Sequence, residues 1–251
     1  MSDSSTGRTG VILAAGFGSR LAGTDDQTDL KPLTNVNGMP LIYRTIRSLQ
    51  VAGCDEVVIV LGFGFEEIKK DILDSYTGDL PIKFARNDQF QLSNGLSVLA
   101  AEEYINGDFI LTMADHVLSD EMMRLAKEHV PPSQGATLLV DYKIEEIFDM
   151  DDATKVEVID GKIRSIGKQI KAYNCIDTGV FVCTASLLDE IRREFELKGD
   201  ASLSDGIQAL AVKGRMNTLD IGDAFWQDID TPEMLNHAEE VLAEMDDKVT
   251  L

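Results

Sequence analysis

The chain has 251 residues, of which 44% are hydrophobic, and a formal net charge of −21 from 44 acidic and 23 basic residues. This length is enough for one large α/β domain or two small ones. The strong acidity argues against nucleic acid and anionic membranes as partners. Because basic residues are scarce, a phosphate-binding protein of this composition must concentrate its cations in one cleft.

The chain shows no sign of a membrane span or a secretory leader. Its longest apolar run, residues 57–65, contains two glycines and is too short to cross a bilayer. The first nine residues are mostly polar, so we interpret residues 1–9 as a flexible tail and residues 10–251 as a single domain. These features predict a cytoplasmic protein. The three cysteines and three histidines lack metal-binding spacing, and we expect the cysteines to be small buried side chains.

Apolar runs and amphipathic segments alternate along the chain. The predicted strands are residues 11–13, 57–61, 82–85, 109–112, 136–142, 154–159, 162–166, 176–182, 216–221 and 225–229, and the predicted helices are residues 40–52, 65–76, 94–103, 119–128, 187–195, 203–211 and 232–245. Strict alternation in the first half is typical of a doubly wound, mostly parallel (Rossmann-like) α/β sheet, with ligands over the loops after residues 13, 85 and 112. Asp160-Gly161 is a strong hairpin signal, so the second half adds a smaller antiparallel subregion.

A glycine-rich turn follows the first strand, within residues 10–33, GVILAAGFGSRLAGTDDQTDLKPL. Gly16 and Gly18 allow close approach of a ligand to the main chain, and Arg20 and Lys31 place two cations at the same spot. A main-chain cradle with two cations suits a triphosphate. The alternatives are a dinucleotide fingerprint, which Leu21 in place of the third glycine disfavours, and an ordinary turn with a solvated Arg20.

Asp115 comes directly after the predicted strand 109–112, in the stretch Thr-Met-Ala-Asp-His. A carboxylate at a strand end beside a phosphate cradle can hold Mg²⁺, which needs only one or two carboxylates besides phosphate oxygens. A turn or helix-capping aspartate is the alternative. His116 is more typical of a neighbour that orients other groups than of a ligand or a base.

A second acidic stretch, Trp-Gln-Asp-Ile-Asp-Thr-Pro, spans residues 226–232. Asp228 and Asp230 share a face if the segment is extended, and either one can supply a second carboxylate. Alternatively, Asp230 or Thr231 caps the following helix, and capping preferences favour Thr231. We expect Trp226 to belong to the core.

A third candidate group combines scattered lysines with a glycine-containing strand. Lys155, Lys168 and Lys171 lie on or after the predicted hairpin, and Asp177-Thr178-Gly179 follows. Cations in this position can meet an acceptor phosphate, although a solvated surface position is the alternative for Lys171.

Taken together, these stretches resemble the sugar-phosphate nucleotidyltransferase family. The similarity rests on LAAGFGSRL with Lys31-Pro32, and on FILTMADHVLS, ATKVEVIDGKIRSIGK, CIDTGVF and WQDIDT, in that order, from about residue 10 to the last helix. Within the family, these motifs are most similar to the branch that acts on inositol 1-phosphate. The resemblance implies transfer of a cytidylyl group from CTP to a phosphorylated small polyol, giving CDP-inositol and pyrophosphate, with Mg²⁺ as cofactor.

The resemblance also assigns roles to individual residues. Arg20 and Lys31 would be catalytic, with Lys31 bridging the nucleotide and acceptor phosphates. The implied nucleotide-binding residues are Leu13, Ala14, Ala15, Gly16, Gly18, Asn87, Asn94 and Gly95; the implied acceptor-binding residues are Lys168, Thr178 and Gly179; and the implied metal ligands are Asp115 with Asp228 or Asp230.

Other functions remain open from the sequence. A phosphonate cytidylyltransferase would use the same site, and a phosphocholine enzyme is disfavoured because aromatic residues are only 6% of the chain. From another class, the chain would be a non-catalytic nucleotide sensor. The expected partners are CTP and a small phosphorylated acceptor, with no nucleic acid and no membrane insertion, and a homo-oligomer is left open.

Overall fold

The structure, a computed structural model, describes residues 7–18 and 30–249. Within these residues the strands are β1 (Arg8–Ala14), β2 (Asn35–Val36), β3 (Met39–Pro40), β4 (Cys54–Leu61), β5 (Ile82–Arg86), β6 (Phe109–Met113), β7 (His116–Leu118), β8 (Ala136–Asp141), β9 (Lys155–Ile159), β10 (Lys162–Gly167), β11 (Cys175–Cys183), β12 (Met216–Asp220) and β13 (Trp226–Asp228). The α-helices are α1 (Leu41–Val51), α2 (Phe65–Ser75), α3 (Gly95–Ala100), α4 (Asp120–Glu128), α5 (Ser186–Lys198), α6 (Leu203–Val212) and α7 (Pro232–Val249).

Nine of these strands form one mixed sheet, in the order β5-β4-β1-β6-β11-β8-β12-β10-β9. The first four are parallel, and β11 joins them antiparallel to β6. β8 runs antiparallel to β11 and therefore parallel to β6, while β9 and β10 form the antiparallel end. The first residues of β11 also pair with β9. The predicted parallel half with a smaller antiparallel subregion is confirmed.

Helices cover both faces of the sheet, as a doubly wound fold requires. In β1, Val11 and Leu13 pack on the side of α3, α5 and α6, whereas Ile12 and Ala14 pack on the side of α1, α2 and α4. A strand buried on both faces reads as a continuous apolar run, which is why β1 is recognisable in the sequence. A smaller cluster that includes Ala238 lies beneath α7.

Several local predictions are confirmed. Asp160 and Gly161 both have positive φ, 50° and 71°, as a two-residue hairpin turn demands. Thr231 caps α7, since its hydroxyl accepts a hydrogen bond from the N–H of Met234 at 3.3 Å. The three cysteines are buried and unpaired. No helix in the described part of the chain has the length and apolar character needed to cross a membrane.

Other local predictions are corrected. β1 begins at Arg8, two residues before the expected domain start, and residues 1–6 of the expected tail lie outside the described residues. The predicted helix 94–103 is two pieces, α3 and a 3-10 turn at Glu102–Tyr104. The short sheet of β7 with β13 is absent from the sequence-based expectation.

Candidate active site

Two joined cavities open at the carboxyl ends of β1 and β6. The smaller, of about 330 Å³, lies against the glycine-rich turn, and the larger, of about 670 Å³, extends over the ends of β8 and β13 and the beginning of β11. Both are lined by Leu13, Gly16, Asp115 and Asp230. The ligand position predicted over the loops after residues 13, 85 and 112 coincides with a concavity at the first and third loops, whereas the loop after residue 85 contributes only Asn94 to its wall.

Glycine suits positions 16 and 18 of the turn for different structural reasons. A Cβ atom on Gly16 would meet no atom within 4 Å, because this position faces the open cavities. Gly18 has a φ of +62°, and a Cβ there would lie 2.6 Å from the Cβ of Lys31. Gly18 thus allows the turn to pack directly on Lys31. Ala14 and Ala15, on the strand side of the turn, line the smaller and the larger cavity respectively.

This difference leads to opposite expectations for two alanine variants. Gly18→Ala should lose about 1–3 kcal/mol of unfolding free energy from the strained backbone, and it should displace Lys31. Gly16→Ala should keep the wild-type stability but weaken binding of a nucleoside triphosphate about tenfold, because its methyl group enters the cradle. Denaturant unfolding and equilibrium binding of nucleoside triphosphates measure the two effects. Equal destabilisation by both variants would contradict this account.

Lys31 lines the smaller cavity and contacts two carboxylates that line both cavities. Its side chain is buried, and its Nζ donates to Oδ2 of Asp115 at 2.6 Å and to Oδ1 of Asp230 at 2.5 Å. Burial lowers the pKa of Lys31, but the charges and hydrogen bonds of the two carboxylates outweigh it, so the net pKa lies above its ordinary value. Lys31 is therefore a fixed positive charge. Arg20, the other predicted catalytic cation, lies outside the described residues.

The short β7–β13 sheet brings the two acidic stretches together. Asp228 lies directly opposite His116 in this antiparallel pair, and the N–H of Ile229 donates to the carbonyl of Asp115 at 2.8 Å. The Nδ1 atom of His116 is hydrogen-bonded to Oδ1 of Asp115 at 2.8 Å. The backbone pairing thus places three carboxylates, a lysine and a histidine at one point.

The electrostatics of this cluster follow from burial and crowding. Burial alone would raise the pKa of Asp115, but His116 and Lys31 reverse the effect and hold it well below its usual range. Burial raises the pKa of Asp228, and the charges of Asp230 and Asp115 raise it further. Asp228 therefore bears a charge that its neighbours do not fully neutralise.

The carboxylates of this cluster suit a divalent metal ion that is also coordinated by a bound phosphate. Within the described residues, no group of three or more His, Cys, Asp or Glu side chains is arranged to enclose a metal ion. Mg²⁺ typically takes one or two protein carboxylates and completes its shell with water and phosphate oxygens. The crowded carboxylates Asp115, Asp228 and Asp230 therefore suit a metal that arrives with a phosphate.

His116 is packed between two of the site's other residues. Its ring stacks on Trp226 at 6.0 Å between centroids and 17° between planes. On another side, a Cβ on Gly179 would lie 2.6 Å from Nε2 of His116, and Gly179 has a φ of +75°. Gly179 lines the larger cavity, as predicted for an acceptor-side residue, and only glycine fits there.

The predicted acceptor residues are only partly brought together. Lys168 lines the larger cavity, where its Nζ donates to Oδ1 of Asp152 at 2.6 Å. Thr178 is different, because its side chain is fully buried and its hydroxyl donates to the carbonyl of Leu139 at 2.7 Å. The Thr178 side chain does not reach the cavity. Lys155 donates to main-chain carbonyls of the acidic loop, including that of Ala153, and Lys171 is exposed.

Of the residues predicted to contact the base and ribose, only some line the cavity. Asn94 lines the larger cavity. Asn87 is buried, with its side-chain amide donating to Oγ of Ser97 at 2.9 Å, and a Cβ on Gly95 would lie 2.4 Å from the carbonyl oxygen of Ala201. Neither Asn87 nor Gly95 is among the described residues that line the two cavities. Asn87 and Gly95 pack behind the residues that line the larger cavity. Ser97, which the sequence analysis missed, lines that cavity itself.

Sequence reasoning also missed part of the larger cavity's polar wall. Asp141, at the carboxyl end of β8, accepts from the indole N–H of Trp226 at 2.9 Å. Trp226 packs against the core, as expected, and it also lines the cavity. Asp177, which the sequence analysis placed in its third candidate group with Thr178 and Gly179, lies near the start of antiparallel β11, at the same edge of the sheet. The detectable signal was strand direction, since the end of β8 and the start of β11 meet at the edge that bears Asp115.

Asp177 makes a pH-dependent contribution to stability. Burial raises the pKa of Asp177 to about 6, even though its Oδ1 accepts the N–H of Gly179 at 2.7 Å. A carboxyl whose pKa is higher in the folded protein stabilises the fold most at low pH, and this contribution is lost as the pH rises from about 4 to about 6. We expect Asp177→Asn to be about 1–2 kcal/mol more stable than the wild type at pH 7.5, and to lack that loss.

Unfolding measured from pH 4 to pH 8 for both proteins tests this expectation. The amide oxygen introduced by Asp177→Asn can still accept the Gly179 N–H, so a change in stability reports the charge and not a lost hydrogen bond. Parallel pH profiles for the two proteins would contradict the assignment.

The fold and the site together define a nucleotide-binding α/β protein, with a glycine cradle, a buried lysine and clustered carboxylates at the strand ends. The family model described as the MobA-like NTP transferase domain matches residues 10–209, and the chain belongs to this family. Residues 10–209 are therefore an NTP transferase domain by family. Proteins of this class generally use a divalent metal ion.

Individual relatives agree with this membership. The chain is 33% identical to a bifunctional IPC transferase and DIPP synthase of Rubrobacter xylanophilus, over 94% of this chain and 53% of the relative. It is also 33% identical to the protein of the same description from Thermococcus kodakarensis, over 92% of this chain and 50% of the relative. The chain thus spans about half the length of these curated relatives.

Among solved structures, the inositol-1-phosphate CTP transferase from T. maritima superposes with a TM-score of 0.80 at 26% identity, covering 93% of this chain and 96% of that one. The superposition therefore covers nearly the full length of both chains.

Proposed function

We propose that the chain transfers a cytidylyl group from CTP to inositol 1-phosphate or a closely related phosphorylated polyol, releasing pyrophosphate. The observation that carries the proposal is the position of Lys31, which lines the glycine-lined cavity and is held by Asp115 and Asp230, two carboxylates that line both cavities. A charge held there can contact a triphosphate in the smaller cavity close to an acceptor phosphate in the larger one. The names of the relatives and of the T. maritima structure support the choice of nucleotide and acceptor.

The reaction needs charge neutralisation more than proton transfer. An oxygen of the acceptor phosphate attacks the α-phosphorus of CTP, a new P–O bond forms, and the bond to the departing pyrophosphate breaks. A phosphate anion is already a nucleophile, so no general base is required. The main-chain N–H groups of the turn at Gly16 would bind the triphosphate, and Lys31 and Lys168 would neutralise the meeting phosphates.

The metal assignment completes the proposal. Asp115 and Asp228 would hold the divalent ion, which we take to be Mg²⁺ and which when bound offsets phosphate charge and aligns phosphate oxygens. Asp230 would instead hold Lys31, as its hydrogen bond at 2.5 Å indicates. Asn94 and Ser97 would face the base or ribose from the wall they line.

The wall of the larger cavity supports a hydroxyl-rich acceptor. Asp141 and Asp177 are carboxylates that accept hydrogen bonds from hydroxyl groups, and Trp226 offers an apolar face to a ring. A second acceptor class is favoured by one observation. Phe148 and Phe225 line the same cavity beside these acids, which also suits the cationic head of phosphocholine.

Pyrophosphate release with CTP and Mg²⁺ tests the proposal against inositol 1-phosphate, glucose 1-phosphate, phosphocholine and 2-aminoethylphosphonate, with UTP and ATP as nucleotide controls. We expect release with CTP and inositol 1-phosphate. Release only with phosphocholine or the phosphonate would keep the chemistry and replace the acceptor. CTP binding without release for any acceptor would contradict an enzyme and favour a nucleotide sensor.

A further inference from the structure

The loop between α5 and α6 holds the segment that bears the nucleotide-facing wall. Asp200, in this loop, uses both carboxylate oxygens on Ser93. Its Oδ1 accepts the N–H of Ser93 at 2.9 Å, and its Oδ2 accepts the hydroxyl of Ser93 at 2.9 Å. Oδ1 also accepts the N–H of Ala201 at 2.8 Å. One side chain therefore joins two segments that lie more than a hundred residues apart in sequence.

The same two segments interlock at two further points. The side-chain oxygen of Asn94 accepts the N–H of Leu203 at 2.9 Å, instead of capping its own helix α3. The absence of a side chain at Gly95 lets the carbonyl of Ala201 approach closely. The position of residues 93–97 is thus set by the α5–α6 loop.

Asp200 itself is not among the described residues that line either cavity, whereas Asn94 and Ser97 are. The N–H of Ser93 is the main cause that holds the pKa of Asp200 below its usual range, so the carboxylate stays ionised near neutral pH. Hydrogen bonds to an ionised acceptor are about twice as strong as those between neutral groups. Asp200 therefore acts on the cavity only through the segment it holds.

Helix α6 does not depend on Asp200 for its own position. Its first turn is closed by a reciprocal capping box, in which Ser202 Oγ accepts the N–H of Asp205 at 3.0 Å and Asp205 accepts the N–H of Ser202 at 2.8 Å. Farther along, Gln208 accepts the N–H of Ile166 in β10. Removing the Asp200 carboxylate should accordingly loosen residues 93–97 and leave α6 and the acceptor side in place.

We propose that Asp200 is a positioning residue for the nucleotide, which clamps residues 93–97 so that Asn94 and Ser97 are held against the bound CTP. This inference rests on the proposed function, because that function places CTP at this wall. It assigns Asp200 to nucleotide affinity and not to the acceptor or the chemical step.

Kinetics of Asp200→Ala test the clamp. We expect KM for CTP to rise about tenfold, the effect of losing charge-assisted hydrogen bonds, with kcat and the KM for the acceptor within about twofold of wild type. Asp200→Asn should restore KM, since an amide oxygen can accept the Ser93 N–H and the amide nitrogen can face the Ser93 hydroxyl. Ser93→Ala removes only the hydrogen bond of the hydroxyl, so its KM for CTP should lie between those of the two Asp200 variants. It also provides a test if Asp200→Ala folds poorly.

The matched control is Asp120→Ala, which removes a partly exposed carboxylate that does not line either cavity and that bonds Arg47 at 2.7 and 3.0 Å. It should leave all kinetic constants unchanged. Equal rises in both KM values for Asp200→Ala, a fall in kcat alone, or no rescue by Asp200→Asn would each overturn the inference.

Amide hydrogen exchange of the nucleotide-free protein keeps this test independent of the proposed function. Exchange in residues 93–97 should accelerate in Asp200→Ala and not in Asp120→Ala or Asp200→Asn. If the wild type released no pyrophosphate with CTP, the proposed function would fail while this exchange comparison still measured the clamp. Unchanged exchange in Asp200→Ala would refute the claim that Asp200 holds residues 93–97, whichever substrate the protein binds.

Discussion

Lys31→Ala is expected to lower kcat about 100- to 1,000-fold, the loss typical of removing one preorganised charge stabiliser. The reason is geometric, because Lys31 is a buried cation that lines the smaller cavity, and its Nζ is fixed by Asp115 and Asp230, which line both cavities. Lys31→Arg keeps the charge but changes its shape, and it should recover only part of the activity. Pyrophosphate release at saturating CTP and acceptor measures the effect.

The same substitution should change how the fold responds to metal. Without Lys31, two adjacent carboxylates lose their shared cation, and breaking a buried pair in this way costs about 3–5 kcal/mol. We expect the lower end of that range, since the Asp115 side chain is one-third exposed. Thermal unfolding in EDTA should show a lower Tm for Lys31→Ala, and Mg²⁺ should restore part of it by replacing the missing charge.

The control for Lys31→Ala is Lys70→Ala, which removes an exposed lysine paired with Asp74 on α2. Surface pairs of this kind contribute little, so neither activity nor Tm should change. Because the pKa of Lys31 is raised, its positive charge persists throughout the neutral range, and on the alkaline side its ion pairs are lost only as the pH rises above that pKa. Normal turnover by Lys31→Ala at saturating substrate would refute the role given to this residue.

The elements that the sequence predicts well are those that local physics determines. β1 is readable because both of its faces are buried, and the Asp160-Gly161 hairpin because its turn requires positive φ at both residues. β7 has three residues, too few for a periodic pattern, and was not predicted. β13 falls within the predicted strand 225–229, but it pairs with β7 across more than a hundred residues. Their pairing, which no local signal encodes, sets Asp228 opposite His116.

The functional site shows the same difference between features that the local sequence determines and features that distant contacts determine. The glycine turn, Lys31 and the acidic stretches were predictable because each lies in a recognisable motif at a strand end. Whether a motif side chain faces the ligand or the protein was not predictable, since it depends on which distant group satisfies it. The Thr178 hydroxyl is taken by the carbonyl of Leu139, and the Asn87 amide by Ser97. Asp141 was missed because its place became visible only once β8 was known to run parallel to β6.

The two aspartates that the sequence could not separate should respond in opposite directions when each is changed to asparagine. The pKa of Asp228 is raised by burial and by its acidic neighbours, so its charge is unfavourable in the metal-free fold. Asp228→Asn should therefore have a Tm in EDTA equal to or above that of the wild type. Asp230→Asn instead removes the carboxylate that bonds Lys31 at 2.5 Å, and its Tm in EDTA should fall.

Activity should separate Asp228 and Asp230 further. If Asp228 binds the metal together with Asp115, Asp228→Asn should lower activity about 100-fold or more at limiting Mg²⁺ and increase the Mg²⁺ concentration needed for half-maximal rate. Asp230→Asn should lower kcat with a smaller change in that concentration, because it acts through the position of Lys31. Asp74→Asn is the surface control for both. A larger Mg²⁺ requirement in Asp230→Asn than in Asp228→Asn would reverse the assignment. Loss of a metal ligand weakens Mg²⁺ binding, and a higher Mg²⁺ concentration compensates for that loss.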